Sequence, residues 1–329
     1  VAAPPATPEL PSATMGKANK WEGPIALNPK QKISLKLVRR EEVSHNTRIF
    51  TYALPSHMHL LGLPVGKHVL VYGRDSKGKM AMRAYTPISI NSDLGVMKLL
   101  IKVYFKTEKF PEGGVLSQYL DNMTIGQSID VKGPIGHIMY KGDGEYLHNK
   151  TTSQAKAFVM LAGGTGITPM WQLMLSVLND PDDPTMLYLV FANSTLDDVL
   201  MYQDIELLVN KHPDRLKVWH TLSKPPSAEA VSQSLKKKST SKFKDIFSQR
   251  EKGRKSMEVK GHLTQDTAAA VSKWKYGTGR VNEQMLREHL PPMTEDVTAF
   301  LCGPDPFMHD TCIPILKKMG CQEDRILLF

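Results

Sequence analysis

The sequence lacks any apolar run long enough to cross a membrane as a helix. A bilayer-spanning helix needs roughly 20 consecutive apolar residues, whereas the longest runs here, residues 157–162 and 186–192, have the length of a β-strand. The first residues also lack the basic segment followed by an apolar stretch that marks a secretory signal. These absences predict a chain without a membrane segment.

Cysteines and metal-binding patterns are scarce as well. The three cysteines, Cys302, Cys312 and Cys321, form no Cys-x-x-Cys pair, and the 11 histidines are scattered. An odd number of cysteines argues against a disulfide framework and indicates a reducing compartment, and none of the spacings matches a zinc site. We therefore expect a cytoplasmic protein with no bound metal.

The positive charge is concentrated in one segment. The formal net charge is +9, and residues 227–275 alone carry ten Lys and two Arg against three Glu and two Asp, a net charge of +7. Single-stranded nucleic acids are bound by cations interleaved with stacking aromatic residues, a pattern that this segment does not show. Nucleic acid is therefore not an expected partner.

Two patterns of apolar residues divide the chain into a linker and two domains. Residues 1–30 are rich in Pro, Ala and Thr without any period, which is typical of a linker. Residues 31–145 contain short alternating runs such as ISLKLV and HVLVYG between turn signals such as RDSKGK, which predict an antiparallel β-barrel with one short helix at 115–120. Residues 152–329 alternate apolar strands with helices, which predicts a Rossmann-like α/β domain with a parallel sheet.

The second domain is interrupted by a polar segment. Residues 225–273 are rich in Ser and Lys, and we interpret them as an insertion, mostly disordered, with a short helix at 264–272. The strands of the domain are expected at 157–161, 186–192, 217–222 and 298–301, and its helices at 170–178, 197–211, 283–289 and 309–319.

A glycine-rich turn is the strongest chemical signal. Residues 160–173 read MLAGGTGITPMWQL, in which a buried strand meets Gly163, Gly164 and Gly166 and then a helix. Glycines allow backbone N–H groups to approach a pyrophosphate, and a helix N-terminus favours negative charge. The sequence GGTG at residues 163–166 also suits an ordinary tight turn. Its place after the first strand of an alternating region favours a phosphate-binding turn.

A second signal follows the last apolar strand. The sequence LCGPDP places Cys302 at the carboxyl end of that strand, where open α/β sheets bind ligands. A small buried hydrophobic residue is the alternative interpretation of a single cysteine. If both turns lie at strand ends of one parallel sheet, they face one cleft.

The first domain offers two further candidates. The segment MRAYTPIS contains Arg83, which can pair with a phosphate, and Tyr85, which can contact a flat ring; an ordinary strand end has the same composition. Lys102 lies within the apolar run LLIKVYF and needs either a partner or an exposed face.

Together these motifs resemble a known family. RAYTPIS, IKVYF, FPEGGVLSQYL, GPIGHI, MLAGGTGITPM, FANSTLDDVL and LCGPDP have the order and spacing of the ferredoxin-reductase-like flavoproteins, in the NADH-cytochrome b5 reductase branch. RAYTP in place of RPYTP, the segment ALNPKQKISLKLV and the Pro-rich lead-in resemble the C-terminal reductase part of eukaryotic assimilatory nitrate reductases.

The resemblance implies sites for FAD and for NADH or NADPH. It implies that Lys102 and Cys302 are the catalytic residues: Lys102 attracts the nicotinamide nucleotide, and Cys302 lies beside the nicotinamide ring. The residues implied for FAD are Arg83, Ala84, Tyr85, Thr86, Leu100, Ile101, Lys102, Val103, Tyr104, Gly114, Leu116, Ser117 and Thr168. Those implied for the nicotinamide nucleotide are Gly163, Gly164, Thr165, Gly166, Cys302, Gly303 and Pro304.

Two departures from the family pattern bear on specificity. CGPDPF replaces the usual CGPPPM, so Asp305 and Phe307 alter the rim beside the nicotinamide turn. Ser223 and Lys224 occupy the place where NADH-specific members usually carry an acidic residue that binds the adenosine ribose. A carboxylate repels a 2′-phosphate whereas Ser and Lys can receive one, so NADPH is an expected substrate beside NADH.

The expected function is hydride transfer from NAD(P)H to FAD, followed by single-electron transfer to a b-type cytochrome haem in the same parent chain, which would pass electrons on to a molybdenum centre that reduces nitrate. A free-standing NADH-cytochrome b5 reductase is the nearest alternative. A non-catalytic scaffold that binds through its basic segment is the alternative from another class.

Overall fold

The computed structural model describes residues 23–75, 78–224 and 274–329. The predicted insertion at 225–273, with its expected helix at 264–272, lies outside these residues, as does most of the predicted linker at 1–30.

The first domain is built on a six-stranded antiparallel sheet. Its hydrogen-bonded order is β4-β3-β6-β1-β2-β5, with β4 and β5 at the two ends. The strands are β1 (Ile33–Ser44), β2 (Thr47–Ala53), β3 (His68–Arg74), β4 (Met80–Tyr85), β5 (Val96–Lys102) and β6 (Ser128–Ile135). Helix α1 (Val115–Asp121) approaches β3 closely at Gly73, where a Cβ atom would lie 2.5 Å from the Leu116 side chain.

Residues before Gln31 take part in this domain. The backbone N–H of Ala26 donates to Leu60 O at 2.9 Å, and that of Leu27 donates to Leu61 O at 3.1 Å. Both side chains are buried in the core of the sheet. The packed part of the first domain therefore begins upstream of the linker boundary expected from composition.

A small hairpin sheet joins the two domains. Strands β7 (Ile138–Gly142), β8 (Glu145–His148) and β9 (Thr151–Gln154) pair antiparallel. Tyr140 and Tyr146 point from this sheet into the core of the second domain, where both make edge-to-face contacts with Phe158. The Tyr140 hydroxyl also donates to the carboxylate of Asp183.

The second domain is a six-stranded parallel sheet with helices on both faces. Its order is β13-β12-β11-β10-β14-β15, from β10 (Ala157–Gly163), β11 (Met186–Asn193), β12 (Leu216–Leu222), β13 (Gly277–Thr278), β14 (Val297–Cys302) and β15 (Ile326–Leu328). The α-helices described are α2 (Ile167–Asn179), α3 (Tyr202–Lys211), α4 (Glu283–His289) and α5 (Ile313–Lys318).

Strand β10 shows why the sheet is buried on both faces. Successive side chains of a strand point to opposite faces, and here Phe158 and Met160 join the cluster that contains α2, while Val159 and Leu161 join the cluster that contains α4 and α5. Continuous apolar strands are typical of parallel sheets covered by helices. The predicted fold class, an antiparallel β domain followed by a Rossmann-like parallel-sheet domain, is confirmed.

Two predicted helices have different limits in the structure. The helix expected at 197–211 is interrupted, because Met201 adopts a left-handed φ of 55° and separates the 3-10 turn Leu196–Asp198 from α3. The helix expected at 309–319 begins earlier, as a π-helical turn over Pro306–Cys312 that continues into α5.

None of the helices that the structure describes is long and apolar enough to cross a membrane.

Candidate functional site: the cleft between the two domains

One cleft of about 1290 Å³ is lined by residues of both domains. Pockets for a single small molecule usually enclose about 300–1000 Å³, so this cleft has room for more than one ligand. Its first-domain wall consists of the ends of β4 and β5 and the start of α1, and its second-domain wall consists of the carboxyl ends of β10, β11, β12 and β14.

Arg83 places a cation at the first-domain wall. Its side chain is exposed, and its guanidinium donates at 2.8 Å to the Met82 carbonyl but pairs with no acidic side chain of the described residues. Tyr85 lies two residues further along β4. Burial raises the pKa of its phenol to about 12, so the phenol keeps its proton at neutral pH. The wall thus offers a cation for an anionic group and an aromatic ring for a flat one.

A hydrogen-bonded loop forms the floor beside α1. The Ser117 hydroxyl accepts from Tyr104 N at 3.1 Å and donates to Gly114 O at 3.0 Å, while Gly114 N donates to Tyr104 O at 2.7 Å. A Cβ atom at Gly114 would lie 2.4 Å from the Ser117 hydroxyl. The Ser117 side chain therefore shapes this loop, and no side chain caps the first turn of α1.

The glycine-rich turn brings two strand ends of the second domain together. A Cβ atom at Gly166 would lie 2.0 Å from the Cys302 carbonyl oxygen, and one at Gly163 would lie 3.1 Å from Phe307. A Cβ atom at Gly164 would meet nothing within 4 Å. Only the left-handed backbone, with a φ of 55°, favours glycine at this position. The glycines therefore allow the chain after β10 to approach the end of β14 closely at the cleft, which they line.

Cys302 ends β14 at the cleft and carries a neutral thiol. Burial raises the pKa of this thiol to about 11. A thiolate is the reactive form of cysteine, so Cys302 offers a small polarisable surface and a weak hydrogen-bonding group at neutral pH.

Lys102 and Asp198 link the two walls. Lys102 Nζ lies 3.0 Å from Asp198 Oδ1, and the other carboxylate oxygen of Asp198 accepts from Thr195 N at 3.1 Å and Thr195 Oγ1 at 2.7 Å. Burial alone would raise the pKa of Asp198, but the hydrogen bonds from Thr195 and Lys102 outweigh it and lower the pKa. The carboxylate therefore stays ionised and keeps Lys102 at the cleft.

A second link runs through helix α2. The side chain of Gln172 is buried, and its amide donates to the Pro87 carbonyl at 3.0 Å. Pro87 directly follows Thr86, so this bond fixes the end of the RAYT segment to the helix that follows the glycine-rich turn.

The structure brings most of the predicted site residues to this one cleft. Those that line it are Arg83, Ala84, Tyr85, Thr86, Leu100, Ile101, Lys102, Tyr104, Gly114, Leu116, Ser117, Gly163, Gly164, Thr165, Gly166, Thr168, Ser223, Cys302, Gly303 and Pro304. Their individual roles in binding stay predictions.

Two predicted residues do not line the cleft. Val103 is buried, and its N–H donates to Asn46 O at 2.6 Å, so neither its side chain nor its amide faces the cleft. Lys224 is exposed, and its N–H donates to Ser194 O at 2.9 Å, but Lys224 itself is not among the residues that line the cleft.

Several lining residues were missed by the sequence interpretation, among them three with polar or charged side chains that the arguments below use. Asn193 ends β11 and Arg280 follows the WKYGTG turn, while Asp198 lies in the turn after β11. Asn193 could have been found by the argument that singled out Cys302, because it is also a polar residue at the carboxyl end of an apolar strand. Arg280 carried no such signal, because its position depends on how β13 returns to the sheet.

Family models match both domains. Residues 34–140 match the model described as oxidoreductase FAD-binding domain, and residues 160–252 and 243–313 match the oxidoreductase NAD-binding domain. NADH-cytochrome b5 reductase 3 of Rattus norvegicus is 38% identical over 310 residues, which cover 92% of this chain and 88% of that protein.

Nitrate reductases are similar over a part of their length. Nitrate reductase [NADH] 1 of Oryza sativa subsp. japonica is 41% identical over 93% of this chain, and nitrate reductase [NAD(P)H] of Hordeum vulgare is 40% identical over 97% of it. The chain spans only 29% and 30% of their respective lengths. The crystal structure of the cytochrome b5 reductase domain of Ulva prolifera nitrate reductase superposes with a TM-score of 0.75 at 32% identity, and covers 92% of this chain and 99% of that domain.

The fold, the cleft and these similarities define a two-domain flavin and pyridine-nucleotide oxidoreductase. The chain belongs to the family that contains NADH-cytochrome b5 reductase and the reductase domain of nitrate reductase.

Proposed function

We propose that the chain transfers a hydride from NADH or NADPH to FAD and then passes single electrons to a b-type cytochrome haem, as the reductase module of a nitrate reductase. The observation that carries this proposal is the convergence of the RAYT segment and the glycine-rich turn on one cleft. Gln172 and Pro87 fix those two segments to each other across the domain boundary.

The residues of the first-domain wall fit FAD. Arg83 has no acidic partner among the described residues, and the first turn of α1 has N–H groups that no side chain caps. Both features suit the negative charge of a pyrophosphate, and Tyr85 supplies an aromatic surface for a planar ring. Arg83, Tyr85 and Thr86 would hold the flavin half, and the loop at Gly114 would hold the pyrophosphate.

The residues of the second-domain wall fit a nicotinamide dinucleotide. Gly163, Gly164 and Gly166 line the cleft where β10 ends, and a Cβ atom at Gly166 would crowd Cys302 of β14, while one at Gly163 would crowd Pro304 and Phe307 after it. These glycines would hold the nucleotide pyrophosphate, and Cys302 would border the nicotinamide. Because its thiol is neutral, Cys302 would orient that ring without adding to it covalently.

When bound, FAD accepts two electrons as a hydride and releases them one at a time, which couples a nicotinamide to a one-electron acceptor. The walls of the cleft would hold the two planar rings against each other and exclude water from between them. Thr168, which is buried and whose hydroxyl donates to Thr165 O at 3.1 Å, would close the flavin side of the cleft from the second domain.

NADPH use follows from the groups at the far end of the cleft. Ser223 and Arg280 both line it, and Arg280 forms no ion pair with another described residue. A hydroxyl and a free guanidinium suit a 2′-phosphate. The name of the Hordeum vulgare relative includes both nucleotides, which supports the same proposal.

The proposed partner is a b5-type haem domain in the same parent chain. A free-standing NADH-cytochrome b5 reductase is the second candidate, because the chain covers 88% of the Rattus norvegicus enzyme. An antibody raised against this chain and used on a denaturing gel of the source cells distinguishes the two. A nitrate reductase parent would be roughly three times longer than the chain, as the 29% coverage implies. A band at the length of the chain itself would favour the second candidate.

A further inference from the structure

Asn193 ends β11 with a buried amide that has no hydrogen-bonding partner. The residue is 8% exposed, and neither Nδ2 nor Oδ1 bonds to any residue that the structure describes. Its backbone carbonyl is bonded, since Asn193 O accepts from Ser223 N at 3.0 Å. The buried polar atoms without a partner are those of the side chain.

Such an arrangement is unfavourable in the absence of a ligand. Nearly all buried polar groups in proteins are hydrogen-bonded, and leaving one unpaired destabilises the folded state. A leucine has a similar shape and would avoid that cost. An amide at this position is therefore explained by a partner that arrives from the cleft, whose wall Asn193 helps to form.

The sheet order specifies which part of a dinucleotide lies nearby. β11 lies between β10, which leads into the glycine-rich turn, and β12, which leads to Ser223. Along the carboxyl edge the order is therefore Cys302, the glycines, Asn193 and Ser223. A dinucleotide with its pyrophosphate at the glycines and its adenosine 2′ position at Ser223 has its adenosine ribose between them.

The chemistry of the side chain matches a ribose. An amide has both a donor and an acceptor, a phosphate only accepts, and a ribose hydroxyl does both. We propose that Asn193 binds the hydroxyls of the adenosine ribose, by turning its amide toward the cleft when the nucleotide is seated. This inference rests on the pyridine-nucleotide use proposed above.

The test compares two ligands on two proteins. Dissociation constants for ADP and for 2′,3′-dideoxy-ADP are measured by calorimetry on FAD-loaded wild type and FAD-loaded Asn193→Leu. The wild type should bind ADP about fivefold more tightly than the dideoxy compound, as expected for a net hydrogen bond. The variant should lose most of this preference and bind ADP with an affinity close to that of the wild type for the dideoxy compound, and any preference that remains would come from Ser223.

Thermal unfolding gives a readout that is independent of activity. Without nucleotide, Asn193→Leu should unfold at the same temperature as the wild type or higher, and ADP should stabilise it less. Thr51→Val is the matched control, because Thr51 is a buried residue of β2 whose hydroxyl is likewise unpaired and lies outside the cleft. The control should leave the ADP affinity unchanged.

Two outcomes would overturn the inference in different ways. If Asn193→Leu, or Asn193→Ala should the leucine variant not fold, discriminates the two ligands as the wild type does, the amide does not bind the ribose, while nucleotide use stands. If the FAD-loaded wild type binds neither ADP nor NADP⁺, the proposed nucleotide site itself is wrong, and the inference is wrong with it.

Discussion

Lys102 at the end of β5 and Asp198 in the turn after β11 form an ion pair across the cleft, with 3.0 Å between Nζ and Oδ1. The pair joins the two domains and keeps an ammonium group beside the glycine-rich turn. An incoming pyrophosphate competes with Asp198 for that group, because both are anions. The carboxylate therefore positions Lys102 but also opposes its use by a ligand.

The two partners of this pair should have opposite effects on nucleotide use. Lys102→Met removes the only group of the pair that attracts the nucleotide, and we expect KM for NADH to rise about tenfold with FAD content unchanged. Asp198→Asn releases Lys102 from its anion, and we expect KM to stay the same or fall. Steady-state kinetics with ferricyanide as acceptor measures both. An equal rise of KM in the two variants would show that the pair acts only as a brace between the domains.

The two glycines Gly164 and Gly166 should respond differently to alanine. In Gly166→Ala the new methyl group meets the Cys302 carbonyl at 2.0 Å, which forces β10 and β14 apart at the cleft. We expect NAD⁺ binding to be lost and the melting temperature to fall. In Gly164→Ala the methyl group meets nothing within 4 Å, and only the left-handed φ of 55° opposes it, at about 1 kcal/mol. Calorimetric titration and thermal melts compare them, and similar losses in both would contradict the assigned crowding.

Arg280, and not Lys224, should determine the use of NADPH. Arg280→Ala removes a cation that lines the same cleft as Ser223, so we expect kcat/KM for NADPH to fall about tenfold while that for NADH changes little. Lys224→Ala is the matched control, since it removes the same charge from a residue outside the cleft. If Lys224→Ala instead lowers NADPH use and Arg280→Ala does not, the assignment drawn from the cleft lining is wrong.

Glu206 on α3 should make stability depend on acid pH. Burial alone would raise the pKa of this carboxyl, but the nearby His220 ring and hydrogen bonds from Lys275 and Tyr276 outweigh it and lower the pKa from 4.5 to about 2. A depressed folded-state pKa contributes stability that is present above about pH 4.5 and is lost as pH falls toward about 2.

Melting temperatures across that range provide the test. The wild type should lose stability more steeply than Glu206→Gln, which has no carboxyl to titrate. Glu323→Gln, at an exposed carboxylate paired with Lys317, serves as the control. Parallel pH profiles of wild type and Glu206→Gln would refute the assigned pairing.

Much of the fold could be predicted because its signals are local. Strand β10 is a continuous apolar run, as expected for a parallel strand covered on both faces, and α4 covers Glu283–His289 as predicted, with the Asn282 side chain accepting from Met285 N at 2.9 Å as its N-cap. The break at Met201 could not be predicted, because a left-handed methionine has no sequence signal.

The candidate site was predictable in its motifs but not in its pairings. Lys102 and Asp198 lie 96 residues apart, and only the docking of the two domains makes them partners. Ser223 and Lys224 are equivalent candidates in the sequence, yet Ser223 lines the cleft and Lys224 does not. Such outcomes depend on the path of a loop in three dimensions.

The most direct test of the central claim is an anaerobic absorption spectrum of the purified chain, recorded before and after addition of NADH and, separately, of NADPH. We predict a yellow protein with about one FAD per chain, whose flavin absorption is bleached by either nucleotide. A folded protein that remains colourless after incubation with FAD, or a bound flavin that neither nucleotide bleaches, would contradict the account.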